Sequence, residues 1–560
     1  MNTLMPVGVD DFAKVRREYY FVDKTQFLSE FLKNHAEVTL FTRPRRFGKT
    51  LTLSMMRYFL DIEGAEEHRK LFDGLAVADD TDVMMQQGSR PVLFFTLKEW
   101  QFDSWEEMQQ RIPELVGDIF RAHANLMDDV LPSFDQEEFS AYLHRQKNIN
   151  QCKQAIAFLL HVMEVHYGKK PVLLIDEYDA PAQYARDYHY YDDAIGFYRR
   201  FFSAALKSNP SLDFAVLTGV LRITKENIFS ALNNLEVDSV LQLRYPEAFG
   251  FTMEEVRQMT RDFGCEEKMS ELRSWYDGYR FAGQEIYNPW SVVNYFHRGC
   301  KAGTYWVNTS SNSILGDLLR HARSNVLDKF EDVLQGGSII TRVREDFLYN
   351  EIYKNVSTLY TMLVTTGYLT TKRMEHDEIG AKAELVLPNR ELRSLFRSEV
   401  LERYQNDVMS IGVEDLMHAF ADGDLETVCD GLAEYLEVLT SSFDAAKGKE
   451  AFYHGFVLGL TATLIGDYDI RSNRESGYGR YDIAAFPKKA GICGMVIECK
   501  TAESEEALEK EAQDALAQIA EKDYLAEFRV RGVTDVLRYG IAFCGKKVMV
   551  MMTKGDDDFA

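Results

Sequence analysis

Four short apolar runs punctuate the N-terminal part of the chain, each closed by polar or turn-forming residues: EVTLFT (37–42), PVLFFTL (91–97), PVLLIDEYDAP (171–181) and DFAVLTGVLRI (213–223). Their apolar character is continuous rather than alternating, the pattern of strands buried on both faces of a parallel sheet. TLTLSMMRYFLD (50–61) instead places apolar residues at helical spacing and predicts a helix directly after the first strand. Beyond residue 250 the pattern turns helical, with many aromatics between Gly and Pro turn signals in LRSWYDGYRFAGQEIYNPWSVVNYF (272–296). Such a stretch reads as the packed core of a small domain, and base stacking is the rarer alternative.

NEIYKNVSTLYTMLVTTGYLTTKR (350–373) predicts an apolar helix and a Gly-containing strand, and AELVLPNREL (383–392) a second strand, in the manner of a winged helix. Lys and Arg are sparse there, which favours a relay between domains over a DNA reader. Late in the chain SGYGRYDIAAFP (476–487) and GMVIECKTAE (494–503) read as strands, and AQDALAQIAEKDY (512–524), with Ala and Leu three or four apart, as a helix. The expected fold is therefore α/β and multidomain. Residues 1–250 would hold the parallel sheet, 251–425 a helical and winged-helix-like linker, and 426–560 a smaller α/β domain.

With 560 residues the chain is too long for one core. Its 46% hydrophobic and 12% aromatic content and only 12 prolines leave no sign of long disorder. A net charge of −24 excludes a protein that coats nucleic acid non-specifically, although a local basic cleft remains compatible with it. The 7 cysteines stand singly, with no CxxC pair, as free thiols of a reducing compartment do. Neither a signal-peptide pattern nor an apolar stretch of membrane-spanning length is present, so the expectation is a cytoplasmic protein without membrane contact.

Two constellations carry chemistry. LFTRPRRFGKTLTLS (40–54) ends in Gly48, Lys49 and Thr50 between a strand and a helix, which is the context a phosphate-binding loop (P-loop) requires. Backbone N–H groups at the helix start would face the phosphates of ATP, Lys49 would reach the terminal ones and Thr50 would hold Mg²⁺. Arg43 occupies the position where such loops place their first glycine, and it is expected with the rest of the loop against the nucleotide's phosphates. Arg45 and Arg46 either contact phosphate or face solvent or an acidic partner. Asp176 and Glu177, at the end of the third apolar run, would sit at the Mg²⁺ and polarise a water respectively, or else simply cap the next helix. Thr218 and Arg222, toward the end of the fourth run, suit γ-phosphate sensing, with a surface role as the alternative for Arg222.

The second constellation is Asp482, Glu498 and Lys500. Glu498 and Lys500 are two apart on a strand and share a face, and Asp482 on the preceding strand can converge on it. Two carboxylates hold a hard divalent cation, Mg²⁺ or Mn²⁺, and a lysine beside them orients water and offsets phosphate charge. Arg480 is a candidate phosphate contact. Tyr453 and His454 either line this site or close the core.

The motifs VRREYYFVDKTQFLSEFL (15–32), LFTRPRRFGKTLTLSMMRYF, LLIDEYDAP and LTGVLRITKENIFSALNNL together resemble the AAA-ATPase-like family of bacterial proteins, and the likeness continues through WYDGYRF and YNPWS. In that family an Arg-Pro-Arg-Arg-Phe-Gly-Lys-Thr loop is usual, so the resemblance makes Arg43 an ordinary feature of the loop. The Asp, Glu-x-Lys arrangement resembles the PD-(D/E)XK nuclease superfamily, with Tyr481 where a proline often precedes the Asp. That resemblance implies two further site residues: Glu450, on the first helix, as a metal-site carboxylate, and Gln518 on the helix after the catalytic strand. It implies an ATP-binding protein coupled to a metal-dependent nuclease acting on DNA or RNA, and NTPases of this type often assemble as homo-oligomers. The rival reading is a regulatory NTPase scaffold whose nuclease-like domain only binds nucleic acid or protein.

Overall fold

The structure is a computed structural model, and it describes all residues except 1–3, 128–129, 223–231, 243, 282, 307–323, 335, 345–354, 379, 397–411, 442–449, 478, 490 and 555–560. The chain divides into two compact units, Met1–Ser310 with Ser338–Leu392, and Ser311–Gly337 with Arg393–Ala560.

In the first unit β1 (Val38–Thr42), β2 (Val92–Thr96), β3 (Val172–Asp176), β4 (Ala215–Gly219) and β5 (Leu235–Asp238) form a parallel sheet in the order β2-β3-β4-β1-β5. Every residue of β1, β3 and β4 is buried, as their unbroken apolar runs demand. Because β4 lies between β3 and β1, the C-terminal ends of these three strands open side by side, where ligands of parallel sheets bind. The helix Lys49–Leu60 leaves β1 and buries Leu53, Met56 and Phe59 against Phe41, Leu174 and Val216 of the sheet. The fourth apolar run is longer than its strand. β4 stops at Gly219 because the next two backbone N–H groups turn to the Asp179 carboxylate, and Ile223 lies outside the described residues.

The aromatic stretch forms the helix Met269–Tyr276, the hairpin β6 (Tyr279–Phe281)–β7 (Gln284–Ile286) and the helix Pro289–His297. Asn288 caps the last of these, with Pro289 supplying the preset first turn. Tyr276, Tyr287 and Tyr295 are fully buried in one core. After it, β8 (Ile339–Val343), the helix Val356–Thr365, β9 (Thr370–Asp377) and β10 (Gly380–Val386) build a small antiparallel sheet in the order β8-β10-β9, the winged-helix-like arrangement expected from the sequence. Residues 350–354 of that predicted helix lie outside the described residues.

In the second unit β11 (Tyr468–Ser476), β12 (Gly479–Pro487), β13 (Gly494–Thr501), β14 (Val536–Cys544) and β15 (Lys547–Lys554) stand in sequence order, antiparallel except for the parallel pair β13–β14. The helix Leu508–Glu521 makes that parallel crossover and packs Leu516 and Ile519 on Ala484 and Val496. On the opposite face Ile483, Ile497 and Tyr539 meet the helices Val413–Asp422, Leu425–Ser441 and Glu450–Thr461. Among the described residues no helix is long and apolar enough to cross a membrane. The fold is thus α/β throughout, with a parallel-sheet unit, a helical middle and a second sheet near the C-terminus.

Candidate nucleotide and metal-ion sites

The loop between β1 and Lys49–Leu60 ends at Gly48, whose φ of 85° suits glycine and lets it cap the helix without a side chain in the way. Lys49 is buried, and its ammonium is folded back on its own loop, donating to the carbonyls of Arg43 (3.0 Å) and Pro44 (2.9 Å). Burial lowers its pKa to about 8, with the carboxylates of Asp176, Asp179 and Glu177 pulling the other way. Asp176, at the end of β3, accepts from Thr50 Oγ1 at 2.6 Å with one oxygen and from Thr218 Oγ1 with the other. One carboxylate therefore ties the helix start, β3 and β4 into a single polar floor. Glu177 follows with φ 52°, a left-handed backbone that turns it off the strand line, and burial beside Asp176 raises its pKa.

Two residues of the same motif that sequence reasoning did not single out hold this floor. Asp179 is buried and accepts from the N–H groups of Val220 and Leu221 (3.0 and 2.9 Å) and from Gln183 Nε2 (2.6 Å). Tyr178 donates to the Leu221 carbonyl at 2.5 Å. Arg222 is half-buried directly after these anchored residues. The signal was present in IDEYDAP, where a second aspartate three positions after the first is an ordinary helix-start residue until β4 is seen beside it.

Arg43 departs from its expected place against phosphate. Its guanidinium is fully buried, ion-paired with Asp238 and donating to the carbonyls of Asp238 (2.9 Å), Thr42 (3.0 Å) and Tyr245 (3.3 Å). It lies 4.9 Å over the Phe249 ring. The physical reason is donor supply: Arg43 spends its guanidinium donors tying β1, β5 and the loop after β5 together. Arg45 and Arg46 are exposed. Arg45 donates to Gln183 at 3.4 Å, and Arg46, at φ 68°, stacks 4.4 Å over Trp290.

A cavity opens against Gly48 and the first turn of the helix, walled by Phe12, Tyr20, Leu51, Met55, Ala248 and Val293. Its lining is mostly apolar. The polar side chains at its edge are already engaged: Thr52 with the Gly48 carbonyl, Tyr20 with Asp262 and Lys24 with Glu255.

In the second unit, β12 and β13 pair through Ile483↔Ile497 and then part beside Asp482 and Glu498. The carboxylate of Asp482 accepts the Cys499 N–H at 2.8 Å, and its own N–H donates to Glu498 Oε2 at 3.3 Å. Glu498 is 5% exposed and receives the Gln518 amide on its other oxygen. Gln518 arrives because Gly540 of β14, level with Glu498, lacks a side chain: a Cβ there would stand 2.3 Å from the Ala512 carbonyl of the overlying helix. Burial raises the Asp482 pKa, countered by the Cys499 N–H, His454 and Lys500. Lys500 is half-buried two residues beyond Glu498 on the same face.

His454 lines this site. Its Nε2 lies 3.2 Å from the Asp482 carbonyl and 3.1 Å from Ser472 Oγ. Tyr453 instead closes the core, stacked 4.4 Å from Phe543 and donating to the Gly545 carbonyl. Arg480 is exposed on β12. Glu450 is the first residue of its helix, and its side chain lies outside the described residues. Among the described residues no three His, Cys, Asp or Glu side chains cluster as a ready metal cage. Asp482, half-buried, and Glu498, buried, nevertheless offer hard oxygen donors that fit Mg²⁺ or Mn²⁺, which keep several waters and take substrate phosphate oxygens as ligands.

Residues 6–229 match the family described as "Predicted AAA-ATPase", and residues 448–553 match the "PD-(D/E)XK nuclease superfamily". A protein of Azotobacter chroococcum mcd 1, described as "Uncharacterized protein in vnfD 5'region", is 24% identical over 550 residues, which is 94% of each chain.

Proposed function

For a chain that carries an AAA-ATPase-like domain and a PD-(D/E)XK nuclease superfamily domain, we propose a cytoplasmic ATP-binding and ATP-hydrolysing protein whose second unit cuts phosphodiester bonds of nucleic acid. The observation that carries the cutting reading is the meeting of Asp482 and Glu498 where β12 and β13 part, with Gln518 holding Glu498 and Lys500 alongside. Asp482 and Glu498 would hold a divalent cation, with Glu450 as a third carboxylate. When bound, the cation supplies Lewis-acid activation of a water and offsets charge on the phosphate. Lys500 orients that water and neutralises charge that develops on phosphorus oxygens. Gln518 and the Cys499 N–H fix the two carboxylates, so their geometry is set before substrate arrives.

In the first unit Lys49 would exchange its two loop carbonyls for the β- and γ-phosphates, Thr50 and Asp176 would hold Mg²⁺, and Glu177 would orient the attacking water. Thr218 and Arg222 would respond to the γ-phosphate, and the apolar cavity beside Gly48 would take the base. Nucleotide state would gate cleavage, which is why switch and cutter share one chain. The reading is tested by metal-dependent cleavage of DNA and RNA with and without ATP. Cleavage that Lys500→Ala abolishes supports it. Cleavage that is indifferent to tightly bound ATP analogues removes the gating.

A further inference from the structure

The exposed half of the nucleotide loop is held from behind. Trp306 donates its indole N–H to the Arg45 carbonyl at 3.1 Å. Trp306 is in turn fixed by Glu391, a fully buried carboxylate. One Glu391 oxygen accepts the N–H groups of Tyr305 and Trp306, the latter at 2.6 Å, and the other accepts from Ser291 Oγ at 2.7 Å. The Tyr305 carbonyl receives the Trp290 indole N–H at 3.0 Å, and Arg46 lies over that same Trp290 ring. The stretches 290–291, 305–306 and residue 391 thus form one network, which reaches the loop at the Arg45 carbonyl through Trp306 and at the Arg46 side chain through Trp290.

A buried carboxylate is costly unless its hydrogen bonds are filled, and this one is filled almost wholly by groups that lead to the loop. Core packing alone would be served by an apolar residue at position 391. We propose that Glu391 and Trp306 are positioning residues of the nucleotide site, fixing the loop in the form that presents its backbone N–H groups to the phosphates. This rests on the nucleotide-binding reading. The pair acts on the phosphate end of the ligand only, because the base cavity is walled by other residues.

The test is calorimetric titration of the full chain with ATP and, separately, with inorganic tripolyphosphate, which lacks the base. Trp306→Phe keeps an aromatic ring to face Tyr368 but loses the indole donor. It is expected to weaken ATP and tripolyphosphate by the same factor, roughly tenfold, as loss of one hydrogen bond to an ordered loop implies. Glu391→Leu should match it, and Glu391→Gln, which keeps an acceptor for the two N–H groups, should restore most of the affinity. Ala248→Trp, filling the base cavity, should weaken ATP while sparing tripolyphosphate. Equal affinity of Trp306→Phe and wild type for both ligands, with binding lost in Lys49→Ala, overturns the positioning role alone. A loss confined to ATP overturns it as well. Failure of the wild type to bind either ligand overturns the nucleotide site itself, and this proposal with it.

Discussion

At the scale of single residues, Arg43 shows how one position can be decided by a partner far away. Asp238 lies 195 residues along the chain, so nothing local announces the ion pair. A buried pair broken from one side leaves an unpaired charge, and Arg43→Ala is expected to lower stability by about 3–5 kcal/mol in thermal or denaturant unfolding. Arg43→Met combined with Asp238→Leu, which removes both charges, should recover most of that loss; equal losses for the single and double variants would contradict the assignment. Glu391 makes a second residue-scale prediction. Burial raises its carboxyl pKa to about 7, above the ordinary glutamate value of 4.5. A carboxyl with a folded pKa above its unfolded one favours the folded state at low pH, and that contribution is complete below about 4.5 and lost as pH rises through about 7. Glu391→Gln should therefore flatten the fall in thermal midpoint between pH 5 and pH 8. Parallel profiles for variant and wild type would refute the assignment.

At the scale of elements, contiguous signals were legible and convergent ones were not. GKT and IDE could be read because strand, turn and helix follow one another in the sequence, so the end of an apolar run marks the ligand edge of the sheet. Glu498 and Lys500 could be read because strand periodicity alone puts them on one face. The sequence did not reveal that Asp179 would stop β4 early, since that depends on β3 and β4 being neighbours. Nor did it reveal Trp306 or Glu391, whose roles exist only once the stretches around 45, 291, 305 and 391 have met. Gln518 was legible only through family resemblance, and its arrival at Glu498 depends on a helix lying close over Gly540. Gly540→Ala should push that helix outward at a cost of about 1–3 kcal/mol, and it should reduce cleavage more than it reduces binding of nucleic acid. An alanine variant with unchanged cleavage would show that the close approach does not position Gln518.

At the scale of the whole molecule, the first unit gathers Asp176, Glu177 and Asp179 at the end of β3, and the second sets Asp482 beside Glu498 where β12 and β13 part; under the proposed function each site takes a divalent cation and a phosphate. The acidic chain as a whole repels nucleic acid in bulk, which fits a cutter that admits its substrate to a restricted place. Under the proposed function, Asp482, Glu498 and Lys500 cut and Lys49 controls them. The most direct measurement is cleavage of single- and double-stranded DNA and RNA in Mg²⁺ or Mn²⁺, with and without ATP, by wild type, Lys500→Ala and Lys49→Ala. The expected result is metal-dependent cleavage by the wild type, its loss in Lys500→Ala, and loss of the ATP response alone in Lys49→Ala. Absence of cleavage from the wild type under every condition, in protein that still binds ATP through Lys49, would contradict it and leave a nucleotide-regulated binding scaffold.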